Sequence, residues 1–425
     1  MKHKLLLLCV TATLHLHATS IITLLNSLEH RPESTLDALN VQKSALAGTS
    51  VNDKLLPTIN LFGSYEHFSD PTGMLPVAPN DLIKMVQNPV VPQPFSQNIL
   101  RGGASFTWPV FIKSLYTLQD RAELMHLAAK EKKRLNLLQR QALVVGSVAQ
   151  LRYLEALKHA LEVKKRSIHE TAVTTKMKVR NGRAPQSAMI ILDSNINELD
   201  IAMNTVDLQS NTLRSKIETL TGIHLKTSVS LHEKHNVHKE EIFALRPLQK
   251  NVEAGQKAVQ AAHEAYYPSL VTKGSYSYSQ GDAYNNDMRV NENYGSAGLY
   301  VSMPLFDHAK GTAVEQAKVA LLKEKIQTEQ SRHALLVQTS ELEREIHLIK
   351  RSVTLAQRSV KNQQKLLKIA KVSLHNASIT EEEYLRYEDA LANAKAKLYS
   401  FKAKQWQDLA QLAVIYGNDL KEIVK

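Results

Sequence analysis

Two short phrases in this 425-residue sequence are each written twice. "LLPTINLFGSY" (55–65) returns as "YYPSLVTKGSY" (266–276), with Pro57 on Pro268 and Gly63-Ser64-Tyr65 on Gly274-Ser275-Tyr276. "GASFTWPVF" (103–111) returns as "GLYVSMPLF" (298–306). The first pair is offset by 211 positions and the second by 195, so the first copy holds 16 extra residues between its phrases. The offset of 195 then persists, placing Asn181 on Asn376, Gly182 on Ala377, Asp193 on Glu388 and Leu225 on Leu420. Chance does not hold register over such a span, so the chain is a tandem duplication. Each copy reads helix, strand, loop, strand, long helix, turn, helix. The copies cover 21–225 and 246–425, joined by a linker at 226–245.

The phrases alternate. Ala104, Phe106 and Trp108 share one face against Ser105 and Thr107, and Leu299, Val301 and Met303 oppose Tyr300 and Ser302. Period-two alternation with one apolar face marks half-buried strands, here about 55–65, 103–110, 268–279 and 298–305. A proline-rich stretch (Pro71, Pro76, Pro79, Pro89, Pro92, Pro94) and the polar "QGDAYNNDMRVNEN" separate the strands of each copy and read as surface loops.

The helices are long. No proline interrupts 111–180 or 306–375, and a helix of that length is a rod of roughly 105 Å. Leu342, Ile346, Ile349, Val353, Ala356, Val360, Gln363, Leu367, Ala370 and Leu374 step by alternating fours and threes, the seam of a coiled coil. The first copy has one stripe at Leu135, Leu138, Ala142, Val145 and Ala149 and a second at Leu137, Val144 and Leu151, so it needs neighbours on two sides. A turn follows each rod. "RNGRAP" offers Gly182 for a left-handed residue and Pro185 to open the next helix. "HNASIT" offers Asn376 for the left-handed position and Thr380 as a cap before Glu381. The returning helices, about 186–220 and 381–416, are half as long. So are those preceding each copy's first strand, about 21–53 and 246–266.

The opening "MKHKLLLLCVTATLHLHATS" has two lysines, an apolar run and a small-x-small site at Ala18-Thr19-Ser20, which reads as an export signal over 1–20. Its apolar run is too short to span a bilayer, and Cys9 sits too early for a lipid-modified start. Beyond it there is no cysteine, hence no disulfide framework, thiol catalyst or zinc–thiolate site. Losing Lys2 and Lys4 with the signal lowers the net charge of +12 by two. For an exported chain the remaining basicity fits solvated helix faces rather than nucleic acid. No later stretch approaches the apolar length of a membrane helix. Four amphipathic strands cannot close a membrane barrel, since the smallest have about eight, and an open sheet edge is not tolerated in lipid. Pooling strands resolves this: three chains supply twelve. Each copy then contributes one hairpin to a shared barrel, which is why the phrase occurs twice.

Over about 21–420 the chain resembles the TolC-like outer-membrane efflux proteins. The resemblance rests on "LLPTINLFGSY", "SFTWPVF", "SMPLFDHAKG" and the paired turns "VRNGRAP" and "HNASITEEEYL", in that order and in duplicate. It implies a mainly α fold with a small β part. The expected assembly is a homotrimer with a 12-stranded transmembrane β-barrel continuous with a 12-helix periplasmic α-barrel. It implies an exit duct for drugs, metals or proteins, without enzymatic activity or cofactor. The implied partners are a periplasmic adaptor protein, an inner-membrane pump of RND or ABC type, and outer-membrane lipid. The turns at Asn181, Gly182, Arg183 and Ala184 and at Asn376, Ala377 and Ser378 would face the adaptor, and the strand loops the outside.

No Walker loop, G-x-S-x-G or H-E-x-x-H motif occurs. His232, His235 and His238 stand at metal-ligand spacing, but a polar linker is the simpler reading. Glu381, Glu382 and Glu383 would form an acidic ring in a threefold tunnel, or simply stabilise a helix N-terminus. Family members often carry paired aspartates just beyond this turn. Here the stretch is Glu383-Tyr384-Leu385-Arg386, against Ala188 and Asp193 in the first copy, which weakens an acidic constriction. Glu382, Glu383, Arg386, Asp193 and Glu388 are the gate candidates, with Arg386 placed to pair with Glu382 or Glu383. Trp108 and Tyr300 sit near strand ends, as interface aromatics do. A periplasmic coiled-coil adaptor without a barrel is the rival reading. Adaptors usually carry one helical hairpin flanked by β domains, not two hairpins each preceded by a strand pair.

Overall fold

A computed structural model describes residues 20–425. The expected export signal therefore lies outside the described residues, apart from Ser20. Ser20 begins the described chain as a helix cap, its hydroxyl accepting from the Thr23 amide at 3.1 Å. In chain order the elements are α1 (Ile21–Ser27), α2 (Pro32–Asp53), β1 (Thr58–Gly73), α3 (Pro79–Gln87), β2 (Phe95–Phe111), α4 (Lys113–Arg180) and α5 (Ser187–Thr221). The second copy gives α6 (Arg246–Glu264), β3 (Ser269–Asp282), β4 (Arg289–Ser302), α7 (His308–His375), α8 (Glu381–Tyr416) and α9 (Leu420–Ile423). The helix expected over 21–53 is broken: a 3-10 turn at Leu28–His30 precedes Pro32, whose ring cannot continue a helix but starts one well.

The chain forms two compact units, each drawn from both repeats. One holds residues 40–131 and 246–330, including all four strands. They form a single antiparallel sheet in the order β1-β2-β3-β4. Every strand is longer than its phrase, and most of the polar stretch expected as a loop belongs to β3 and β4, leaving only 283–288 to turn the chain. The reason is that backbone pairing continues where one face is polar, and polarity alone does not end a strand. In the first hairpin 74–94 make the connection and include α3, a helix inside the proline-rich stretch expected to be a loop. Pro71 falls in edge strand β1 at a register shift between His67 and Thr72, one of the few places a sheet accepts proline.

Register fixes the two faces. Ile59, Leu61 and Tyr65 of β1 pair with Phe106, Ala104 and Leu100 of β2. Across the sheet that face continues through Trp108, Thr272, Tyr276, Leu299 and Val301. It is apolar yet exposed, with Leu61 at 84% and Val301 at 71%. The other face carries Asn60, Ser64 and Glu66, then Arg101, Ser105, Lys273, Ser275, Ser279, Glu292 and Ser296. Arg101 reaches Glu66 at 3.8 Å and donates to Ser279 at 3.1 Å there.

The second unit comprises residues up to Leu39 with Lys132–Leu245 and Ser331–Lys425. Its core joins α1 (Ile21, Leu24, Leu25), α4 (Val144, Val145, Val148, Leu151), α7 (Leu342, Ile346), α8 (Trp406, Leu409, Leu412, Ala413) and the α9 segment (Leu420, Ile423). The helices are arranged in a row. α5 is tied to α4 by Lys158–Asp207 at 2.7 Å and Lys165–Asp200 at 2.6 Å. α4 packs on α8 through Ala160 and Val163 against Ala392 and Ala396. α8 packs on α7 through Leu398 with Val353 and Ala356, and Lys404 bridges to Glu345 at 2.9 Å. The row therefore runs α5-α4-α8-α7. None of the ten seam positions read from α7 is exposed. Both α4 stripes are covered as well, because α4 has neighbours on both sides.

Candidate functional site

The turn that ends α4 is built by hydrogen bonds from residues in tight succession. The Gly182 amide donates to Val179 O at 3.0 Å and the Arg183 amide to Lys178 O at 2.8 Å. That pair of bonds is a Schellman closure, and it needs a left-handed residue at the position Gly182 occupies with φ of 67°. The turn that ends α7 repeats the closure atom for atom: the Ala377 amide donates to Leu374 O at 3.0 Å and the Ser378 amide to Ser373 O at 2.8 Å. Here the left-handed residue is Ala377 with φ of 55°, not the expected Asn376. The closure sets which residue must be left-handed, and Ala377 is the one aligned with Gly182. Asn181, Gly182, Arg183, Asn376, Ala377 and Ser378 are exposed and Ala184 is half-buried.

The helices that leave the turns start differently. Thr380 caps α8 in a reciprocal box: its hydroxyl accepts from the Glu383 amide at 3.2 Å, and Glu383 accepts from the Thr380 amide at 3.0 Å. Glu382 accepts from Arg386 at 2.8 Å. Two of the three consecutive acids are thus engaged at the helix end itself. In the first copy α5 starts at Ser187, two residues after Pro185, and Gln186 supplies no side-chain cap.

Between α4 and α8 lies a polar cluster that the sequence reading found only in part. Glu388 accepts from the Tyr384 hydroxyl at 3.1 Å and pairs with Arg166 of α4 at 3.7 Å. Its neighbour Asp389 accepts from Asn393 at 2.9 Å, and burial raises its pKa although Lys164 pulls the other way. Glu382 and Arg386 form their own i, i+4 pair, and Asp193 stands exposed on α5. The sequence pattern points to Glu388 but not to Arg166 or Asp389, because partners on separate helices share no local pattern. The Glu388 contact is the one that links a gate candidate to a second helix.

The two aromatics lie on opposite faces of the sheet. Trp108 is on the apolar face, with its indole donating to Leu55 O at 3.2 Å. Tyr300 pairs with Val271 on the polar face, where Lys273 Nζ stands 5.6 Å from its ring centre. The linker histidines hold the chain's last residues. His235 bonds Glu422 O at 2.8 Å, the His238 amide donates to Asn418 at 2.9 Å, and His232 pairs with Lys425 through two backbone bonds. Among the described residues no group of three His, Cys, Asp or Glu is placed to hold a metal. No helix among them is long and apolar enough to cross a membrane.

An exposed apolar sheet face backed by a polar one, joined in one chain to duplicated long helices, defines an outer-membrane channel fold. Solved structures share it across nearly the whole chain. The CmeC outer membrane channel of Campylobacter jejuni aligns with a TM-score of 0.72 at 14% identity, covering 95% of this chain and 85% of its own. VceC of Vibrio cholerae aligns with a TM-score of 0.70 at 12% identity, covering 94% and 96%. The open-state MtrE channel of Neisseria gonorrhoeae gives 0.67 at 14%, covering 95% and 90%. A search of curated protein sequences gives no match. Residues 239–418 match the family model described as outer membrane efflux protein. That match covers most of the second repeat, and the chain as a whole carries the fold of these outer-membrane channels.

Proposed function

We propose that three copies of this chain assemble into a transmembrane barrel and a helical tunnel. The assembly is the exit duct of a tripartite efflux or type I secretion system. The observation that carries this reading is the open four-stranded sheet. Its apolar face is exposed and its outer strands β1 and β4 are the two ends of the sheet order. In lipid such edges must be paired, and three chains pair them all by joining β4 of one to β1 of the next.

The helical row supports the same closure. Its outer members, α5 and α7, each leave apolar side chains exposed: Ile190, Ile201 and Leu208 on α5, and Leu348, Leu355 and Ile369 on α7. From 186 to 213 α5 has no Lys or Arg and four acids, of which Asp200 and Asp207 pair with α4 and Asp193 and Glu198 do not, whereas from 346 to 375 α7 has seven Lys or Arg and no acid. Apolar stripes flanked by opposite charge suit α5 of one copy against α7 of the next. The Gly182 and Ala377 turns, exposed and alike in closure, are the proposed docking points for a periplasmic adaptor. The cargo is a drug, metal ion or protein driven by an inner-membrane pump. Detergent-extracted protein from the outer-membrane fraction should have a mass near three chains and migrate heat-modifiably. A folded monomer in lipid would refute the assembly, and recovery in the soluble periplasm would favour the adaptor reading.

A further inference from the structure

The polar face of the sheet is not polar along its whole length. At the end remote from Lys113 and His308, its last row is Glu66, Ile99, Gly281 and Val290. Ile99 is fully buried and Val290 nearly so, and they cluster with Met74, Ala283 and Phe68. Met74 and Ala283 are the first residues of the two hairpin connections. Ser96, from the other root of the longer connection, covers Gly281 so closely that a Cβ there would lie 2.8 Å from its hydroxyl. Both connections therefore fold over the polar face, where the proposed barrel has its interior.

The longer connection is held in that position by the shorter one. Asn285 Nδ2 donates to Val91 O at 2.9 Å and to Pro89 O at 3.1 Å, and its Oδ1 accepts from the Gln93 amide at 3.0 Å. Asn286 Nδ2 donates to Val90 O at 3.1 Å. Asp287 takes a left-handed backbone, with φ of 55°, in the same turn. So clamped, α3 presents Ile83, Val86 and the following Val90 outward, at 57%, 62% and 76% exposure. A clamped helix with an uncovered apolar stripe is an unusual tip for a surface loop, which normally ends in polar residues.

We propose that residues 74–94 form a lid over the mouth of the barrel, the three copies of α3 meeting through Ile83, Val86 and Val90. The inference rests on the trimeric reading. The occupant of the stripe is a second copy because connections that fold toward the interior of a threefold barrel converge on its axis. The lid gives the duct a second constriction, separate from the helical turns.

The test uses the full chain, whose one cysteine is Cys9, within the segment expected to be removed. Ile83→Cys should cross-link on oxidation into covalent dimers, leaving one chain of each trimer unpaired. Conductance in planar bilayers should fall on oxidation and recover on reduction. In a second variant, Asn285→Ala with Asn286→Ala should raise conductance and weaken exclusion of large solutes. A trimeric mass with no cross-link, and with unchanged conductance in the clamp variant, overturns the lid alone. A monomeric mass overturns the assembly and the lid together.

Discussion

The two helix turns make the same closure with different residues at the left-handed position, so exchanging those residues should give effects of opposite sign. An L-residue in the left-handed region costs roughly 1–2 kcal/mol. An added Cβ also removes freedom from the unfolded chain, which returns about 0.4–1 kcal/mol. Around Gly182 no atom lies within 4 Å of where a Cβ would be, so Gly182→Ala introduces backbone strain and no clash. The net cost is about 0.5–1 kcal/mol. Ala377→Gly reverses the balance at φ of 55° and should stabilise its turn by a similar amount. Global unfolding would bury so small a term, but amide exchange reads local opening. The reporters are the Arg183 and Ser378 amides, whose bonds to Lys178 O and Ser373 O close the turns. Exchange at the first should quicken about two- to fivefold in Gly182→Ala, and at the second slow by the same factor in Ala377→Gly. If both substitutions move exchange in one direction, left-handed strain is not what distinguishes the turns. If neither moves it, those hydrogen bonds do not limit opening.

Ile201→Asp or Ile369→Asp should lower trimer stability without unfolding the chain. Each removes an exposed side chain from the proposed α5–α7 contact that is worth about 1.5–3 kcal/mol when buried, and subunit mass against dilution reads the loss. Arg166→Ala and Glu388→Gln both break the 3.7 Å pair between α4 and α8. They should raise conductance alike, whereas Glu382→Gln with Arg386→Ala, which breaks a contact within α8, should change it less. Asp408 is 1% exposed with Oδ2 unpartnered, and burial raises its pKa above 3.8 despite Lys404 at 2.9 Å. A raised carboxyl stabilises the fold below its unfolded value and loses that contribution as pH rises through the folded one. Melting should therefore show a gain between neutral pH and the approach to 3.8 that Asp408→Asn lacks; an identical pH response in the variant would sink this reading. An epitope beside Pro79, at the exposed start of α3, should bind antibody on intact cells, and binding only after outer-membrane rupture would reverse the proposed orientation.

What the sequence disclosed depended on how far each physical signal extends along the chain. The duplication and the α7 seam were legible because covered positions repeat: Leu342, Ile346, Val353, Ala356 and Ala370 are all buried. The outer side chains of the same helix, Leu348, Leu355 and Ile369, also fall on a seven-residue spacing, with Asn362 at the one step that is not apolar. They had no reader until the row α5-α4-α8-α7 showed which helices lie at its ends. Strand limits were misjudged for the opposite reason. Alternation identifies a strand only while one face is apolar, and here the faces change character at Glu66 and Ile99, short of where backbone pairing stops. Ala377 was hidden because propensity ranks asparagine above alanine in the left-handed region, whereas the hydrogen bonds from Ala377 and Ser378 dictate which residue must bend. Arg166 and Glu388 are far apart in sequence, and α3 sits inside a proline-rich insertion with no counterpart in the second copy. A duplicated chain announces what its copies share. The row adds what neither copy shows alone: its two ends are the non-corresponding helices α5 and α7, opposite in charge, and unlike surfaces are what a head-to-tail ring requires at each junction.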